Sequence, residues 1–136
     1  MKSAWVDRDA QAATEKYTAA GLPADLALRV YTTRLLGRDP KLVLHGGGNT
    51  SVKTRMKDLH GEETDVLCVK GSGWDMGVIE PAGLPAVRLE NLKKLRKLDG
   101  LSDEDMVKVQ RANLLDPMAP NPSVETLLHA LSLIHI

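Results

Sequence analysis

Apolar positions along the chain follow two different periods. From Leu22 to Leu35 they recur at helical spacing. Leu22, Leu26 and Val30 form one stripe, and Leu28, Tyr31 and Leu35 an adjacent one. Pro23 suits the first turn of that helix, and Gly37 with Pro40 ends it. The period then shortens to two, predicting strands over Val52–Leu59 and Thr64–Val69. The polar turn His60-Gly61-Glu62-Glu63 joins them as a hairpin. Residues 77–85 hold too many Gly and Pro positions for a helix and read as irregular, and Ala86–Leu89 predicts a third strand. Helical spacing returns at Asn91–Leu98, with Leu92, Leu95 and Leu98 inward and four cations outward. Ser102, with Asp105 three residues on, caps a further helix whose buried stripe is Met106, Val109, Ala112 and Leu115. Asp116-Pro117 stops it. The segment 120–123 enters a last helix, capped by Asn121 or Ser123, with Val124, Leu127, Leu128 and Leu131 inward. Residues 8–20 read as a first helix or an outlying arm.

This order predicts an α/β layer arrangement with antiparallel neighbouring strands. Three strands are few for a sheet covered by helices on both faces, so an incomplete domain is expected.

Two glycine-rich loops flank the hairpin. The first, His45-Gly46-Gly47-Gly48-Asn49-Thr50-Ser51, precedes the first strand, with Lys53 just beyond. The second, Lys70-Gly71-Ser72-Gly73-Trp74-Asp75, follows the second strand. Glycine runs pack nothing and are costly in helices and strands. Backbone N–H groups with amide, hydroxyl and ammonium donors suit an anion, most simply a phosphate, while a plain turn would use the same residues. Antiparallel pairing places the two loops side by side, as adjacent walls of one site. Neither matches a nucleotide fingerprint.

Composition narrows the partners. Lys+Arg and Asp+Glu both number 18, so the formal net charge is zero and a nucleic-acid partner is not expected. Aromatics are 3% of residues, too few for a base-stacking surface. The one cysteine, Cys68, lies in an apolar strand, reads as a buried small hydrophobe and favours a reducing, cytoplasmic compartment. No long apolar run or cationic leader supports membrane insertion or secretion.

Glu125 stands at the start of the last helix, where the helix dipole alone favours an acid and where a catalytic carboxylate would also fit. His129 lies four residues on, on the same face. Glu-x-x-x-His is a weak metal signal, and a histidine on an apolar helix is more often a core residue. His45 and His60 are isolated, so no complete metal site is drawn.

Three segments together resemble the class II aldolase/adducin family: Gly48-Asn49-Thr50-Ser51, Gly71-Ser72-Gly73 and Ser123-Val124-Glu125. The longer strings around them are similar to the aldolase part of bifunctional rhamnulose-phosphate aldolase/short-chain alcohol dehydrogenase proteins. The resemblance implies a three-layer α/β/α domain with a mainly antiparallel central sheet. It implies that Gly48, Asn49, Ser51, Gly71, Ser72 and Ser123 bind a substrate phosphate and that Glu125 is the acid/base. It also implies a Zn2+ cofactor, cleavage of a ketose 1-phosphate to dihydroxyacetone phosphate and an aldehyde, and a homo-oligomeric parent. Val124 stands where many members carry a second serine.

The family's zinc ligands, a His-x-His pair and a later histidine, are expected downstream, so none is assigned here. Residues 1–130 are expected to be the N-terminal part of such a domain. Residues 131–136 resemble the translation of a sequencing adapter and are expected to be a non-native tail, so His135 is not read as a ligand. The fragment alone is expected to be inactive. The alternatives are a non-catalytic adducin-like scaffold and an unrelated phosphate-binding α/β module.

Overall fold

The computed structural model describes residues 2–131. The expected tail therefore lies outside the described residues, except for Leu131, which closes the last helix. The order is α1 (Asp7–Ala19), α2 (Ala24–Gly37), β1 (Ser51–Lys57), β2 (Glu63–Val69), β3 (Ala86–Arg88), α3 (Leu89–Lys94), α4 (Asp103–Ala112) and α5 (Thr126–Leu131). The three strands form an antiparallel sheet in the order β1-β2-β3. Ser51 pairs with Val69 and Lys57 with Glu63, while Val66 pairs with Arg88 and Cys68 with Ala86.

β2 is the centre of the molecule because both of its faces are covered. Val66 and Cys68 pack against Leu26, Ala27 and Val30 of α2. Leu67 and Val69 pack on the other side against Leu92 of α3 and Ala130 of α5. The period-two pleat thus feeds two separate cores, which is why the run Val66–Val69 is continuously apolar. Each such side chain contributes roughly 1.5–3 kcal/mol by leaving water. The expected layering, helix–sheet–helix, is present. Cys68 is fully buried, and burial pushes its thiol pKa up to about 12, so it behaves as a core hydrophobe.

Several expected helix faces are rotated. On α2 the Leu22/Leu26/Val30 stripe faces the core, whereas Leu28 is exposed. On α5 the buried positions are Thr126 and Ala130, while Val124 and Leu128 are 67% and 72% exposed. α3 is shorter than expected, continues as a 3₁₀ turn over Leu95–Lys97, and leaves Leu98 exposed. α4 buries Gln110, whereas Ala112 is exposed and Met106 and Val109 are only partly covered. These segments are apolar on more than one side, so the partner surface chose the face. The Ser102 cap of α4 is present: its Oγ accepts from the Asp105 backbone N–H at 3.1 Å.

α1 is a packed helix and not an outlying arm. It lies on α2, with Ala10 and Tyr17 buried. Tyr17 donates its hydroxyl to Glu80 Oε2 at 2.6 Å, and Arg34 of α2 pairs with the same carboxylate. Arg34 Nε also donates to the Ile79 carbonyl at 2.7 Å, tying both helices to the segment after the second glycine loop. The Tyr17 hydroxyl, followed by the Arg34 and Lys16 cations, holds the Glu80 carboxyl below its usual range against the opposing effect of partial burial. A depressed folded-state pKa stabilises the protein above the unfolded value, about 4.3, and that contribution is lost as pH falls through the folded value. Glu80→Gln is expected to lower the urea midpoint near neutral pH and to flatten its decline below about pH 5. Urea titrations of both proteins across that range check this; parallel curves would refute it.

Candidate functional site

The hairpin register sets the site. Because Ser51 faces Val69, the chain entering β1 and the chain leaving β2 run side by side, and the Lys70 N–H donates to the Thr50 carbonyl at 3.0 Å. The two glycine loops are therefore neighbours. The segment before α5 joins them through backbone contacts. Gly71 bridges to Pro122, the Ser72 N–H donates to the Asn121 carbonyl at 3.1 Å, and the Ser123 N–H donates to the Lys70 carbonyl at 3.2 Å. Residues 74 positions apart in sequence thus become hydrogen-bonded partners: Asn49 Nδ2 donates to Ser123 Oγ.

The first loop needs glycine at one position for two reasons. Gly48 has φ +74°, and a Cβ there would lie 2.6 Å from Met76 Sδ. The apolar residues before the loop form neither strand nor helix, and Leu44 is 65% exposed.

Asn49, Ser51, Ser123 and Glu125 are brought together. Asn49 Nδ2 also donates to Glu125 Oε2 at 3.1 Å, and its Oδ1 is buried with no partner among the described residues. The amide is therefore held at one end only. Ser51 Oγ and His129 Nδ1 share a hydrogen bond of 2.8 Å. In the second loop the Gly71 N–H is occupied by the Gly83 carbonyl at 2.8 Å and the Ser72 N–H by Asn121. What that loop presents is therefore the exposed Ser72 side chain and the close approach that a glycine at 71 permits. Thr50, a candidate donor by sequence, turns inward and bonds Thr33 Oγ1 of α2 at 2.7 Å. It anchors the loop to the core.

Glu125 is held below the ordinary carboxylate range by its own backbone N–H, then by the Ser123 and Asn49 side chains and the Lys70 ammonium, with desolvation opposing them. It is ionised at neutral pH and exposed. Burial is the main cause that lowers the pKa of His129. Glu125 opposes that effect, while Lys53 and Arg29 add to it. The imidazole is thus neutral at pH 7.

Sequence reasoning left two features unassigned. One is the pairing of Ser51 with His129. The other is Lys70, only 2% exposed, whose Nζ donates to the carbonyls of Gly46 at 2.9 Å and Gly71 at 3.3 Å. A lysine closing an apolar central strand was the available signal for a buried charge.

Among the described residues no group of three His, Cys, Asp or Glu side chains converges to hold a metal ion. Glu125 and His129 have no third partner of that kind, so the residues present do not build a metal site. No helix among them is long and apolar enough to cross a membrane.

The chain is similar to known proteins over most of its length. The family model described as "Class II Aldolase and Adducin N-terminal domain" matches residues 27–135. An uncharacterized oxidoreductase, YuxG, of Bacillus subtilis is 41% identical over 112 residues, which is 82% of this chain and 16% of that protein. The solved N-terminal class II aldolase domain of a conserved protein from Thermoplasma acidophilum superposes with a TM-score of 0.79 at 38% identity. That match covers 96% of this chain and 55% of the solved one. The chain therefore spans about half of its structural relative and a small part of its curated one, while fold and sequence agree across nearly all of its own residues: it belongs to the class II aldolase/adducin family.

Proposed function

We propose that the chain forms the phosphate-binding and proton-transferring part of a zinc-dependent aldolase. The reaction is reversible cleavage of a ketose 1-phosphate, of the rhamnulose 1-phosphate type, to dihydroxyacetone phosphate and an aldehyde. The observation that carries this reading is the hydrogen-bonded trio of Asn49, Ser123 and Glu125, drawn from opposite ends of the chain beside both glycine loops. A scaffold has no need of an ionised carboxylate held by two polar side chains beside two glycine-rich loops.

In this reading Ser51, Ser72 and Ser123 donate to the phosphate, Asn49 joins them by turning an amide hydrogen away from Ser123 or Glu125, and Gly48 and Gly71 let the phosphate approach the backbone. Glu125 takes a proton from the carbon beside the carbonyl of dihydroxyacetone phosphate, whose C–H electron pair becomes the enediolate π system. In the cleavage direction it returns that proton. An entering phosphate dianion would disfavour the carboxylate's charge and raise its pKa towards the working range. Members of the family generally use a divalent metal. Zinc would stabilise the developing enediolate charge, and its ligands would come from further residues of a longer parent. The parent is read as a cytoplasmic homo-oligomer acting on a small phosphorylated sugar. The oxidoreductase designation of the B. subtilis relative is compatible with a dehydrogenase fused to an aldolase part, since this chain matches only 16% of it.

The test is direct. The full-length parent, supplied with zinc, is expected to release dihydroxyacetone phosphate from rhamnulose 1-phosphate or fuculose 1-phosphate. Absence of release from either, with the protein folded and metal-loaded, defeats the proposal.

A further inference from the structure

We propose that the face at the turn end of the hairpin is where a second copy of this chain docks, in a two-fold pair with each copy's exposed apolar side chains seated in the other's cavity. A cavity of about 440 Å³ opens there, bordered by Met56 and Leu59, at the opposite end of the hairpin from both glycine loops. Its walls are apolar, with Leu22, Leu26, Leu84 and Leu115 among them. That size and lining suit a binding site. Leu59 and Met118, 89% and 90% exposed, are the two most exposed large apolar side chains among the described residues. Both stand at the rim of this one cavity: Leu59 lines it, and Met118 lies between Asp116 and Ala119, which also line it. Single exposed apolar residues are ordinary. Two such knobs beside one apolar hole form a surface complementary to itself.

The knobs are held in place by their own turns. Asp58 Oδ1 accepts the His60 and Glu62 N–H groups at 2.8 and 3.1 Å, fixing the turn that carries Leu59. Asp116 Oδ1 accepts the Met118 N–H at 2.9 Å. Docking therefore orders little that is not already ordered. Charge is complementary in the same sense. Lys57 and Asp116 both line the cavity, and neither has an ion-pair partner among the described residues. A two-fold axis sets the lysine of each copy against the aspartate of the other, because a contact from one residue to a second is repeated in reverse. The chain's formal net charge of zero adds no overall repulsion. A groove for a strongly acidic or basic partner would carry one sign of charge, and this rim carries both. The inference gives a surface to the homo-oligomer read above and needs none of the aldolase chemistry.

The test is sedimentation of the 136-residue chain up to roughly millimolar concentration, where even a weak pair is seen. The unmodified chain is expected to form dimers. Two variants separate knob from hole. L59S/M118S removes both knobs and keeps the cavity, whereas A82W keeps the knobs and fills the cavity from the exposed Ala82 at its wall. All three positions are exposed, so the thermal midpoints are expected to stay close to that of the unmodified chain. Each variant alone is expected to dimerise at least about tenfold more weakly. An equal mixture of the two is expected to recover part of that loss, because the knobs of A82W enter the open cavity of L59S/M118S at one of the two contacts. A monomeric unmodified chain overturns the proposal and leaves the aldolase reading standing. Dimers that both variants form as tightly as the unmodified chain place the contact elsewhere and overturn it too. Variants that weaken dimerisation with no recovery on mixing overturn the pairing of knob with cavity. Should A82W fail to fold, the unmodified chain and L59S/M118S still decide.

Discussion

Glu125→Gln in the full-length parent is expected to reduce turnover of a ketose 1-phosphate by about 10²–10⁴-fold. It is expected to leave the thermal midpoint nearly unchanged. The two halves of this expectation come from different observations. Glu125 is exposed at the start of α5 and fills no core position, so the neutral isostere removes no packing. Its contacts are functional in geometry: Asn49 Nδ2 at 3.1 Å, the Ser123 side chain, and the field of Lys70, all of which favour the carboxylate form. A glutamine can still accept from Asn49 but cannot take a proton from carbon. Substrate binding should therefore survive while the chemical step is lost, which appears as a fall in kcat with little change in KM. A second readout is exchange of a carbon-bound proton of dihydroxyacetone phosphate with solvent deuterium, which should cease in the variant. Turnover within a few-fold of the unmodified enzyme would remove Glu125 from the mechanism.

Gly37→Ala is the second large effect, and it lies outside the site. Gly37 is the last residue of α2, and a Cβ there would lie 2.3 Å from the Gly77 nitrogen and 2.4 Å from the Met76 carbonyl carbon. Both are backbone atoms, so no rotamer change relieves the clash. Either α2 or the segment after the second glycine loop must move. Overpacking of this kind costs about 3 kcal/mol, which for a domain of this size lowers the thermal midpoint by roughly 10 °C. The displaced segment carries Met76, whose Sδ sits where a Cβ on Gly48 would be. Moving it should disturb the first loop and weaken phosphate binding as well. Gly100→Ala is the control, since nothing lies within 4 Å of a Cβ there and the position has no positive φ. Circular dichroism melts of the two variants check this, and equal midpoints would refute it.

The glycine at 37 shows how much of the fold could be read from the sequence. It reads correctly as a helix end, since helices end at glycine. Its reason is a close approach to Gly77, a residue in a stretch that reads only as irregular. The hairpin, by contrast, was legible in its two strands, with the first ending at Lys57, two residues before the expected Leu59, and the second starting at Glu63, one residue before the expected Thr64. The alternation over β1 and the apolar run of β2 are local patterns, whereas the register from Ser51↔Val69 to Lys57↔Glu63 closes over residues 58–62 and not over the expected turn His60–Glu63. Helix existence was equally legible, but helix orientation was not. Leu128 looks like a core residue beside Leu127, yet it is 72% exposed, because the surface presented by β2 and α3 decides which side of α5 is covered.

The candidate site divides along the same line. That the two glycine loops are neighbours follows from antiparallel pairing alone. The arrival of Ser123 and Glu125 beside Asn49 does not, since it depends on the bridge between Gly71 and Pro122 and on the Ser123 N–H reaching the Lys70 carbonyl. Motif resemblance placed those residues in one site without saying how. Thr50 and Lys70 exchanged their expected standing. The small donor in the loop turned into the core, and the strand-end lysine came to lie buried between the loops.

By itself, then, the sequence determined the elements, the hairpin and the adjacency of its two glycine loops. Those depend on periodicity and on pairing between residues close along the chain. The tertiary structure alone decided which helix faces are buried, why Gly37 must be glycine, and that a buried ammonium and a carboxylate from the far end of the chain come within each other's field. Contacts between distant segments depend on the shapes of both surfaces at once, and no local pattern in either segment encodes the other.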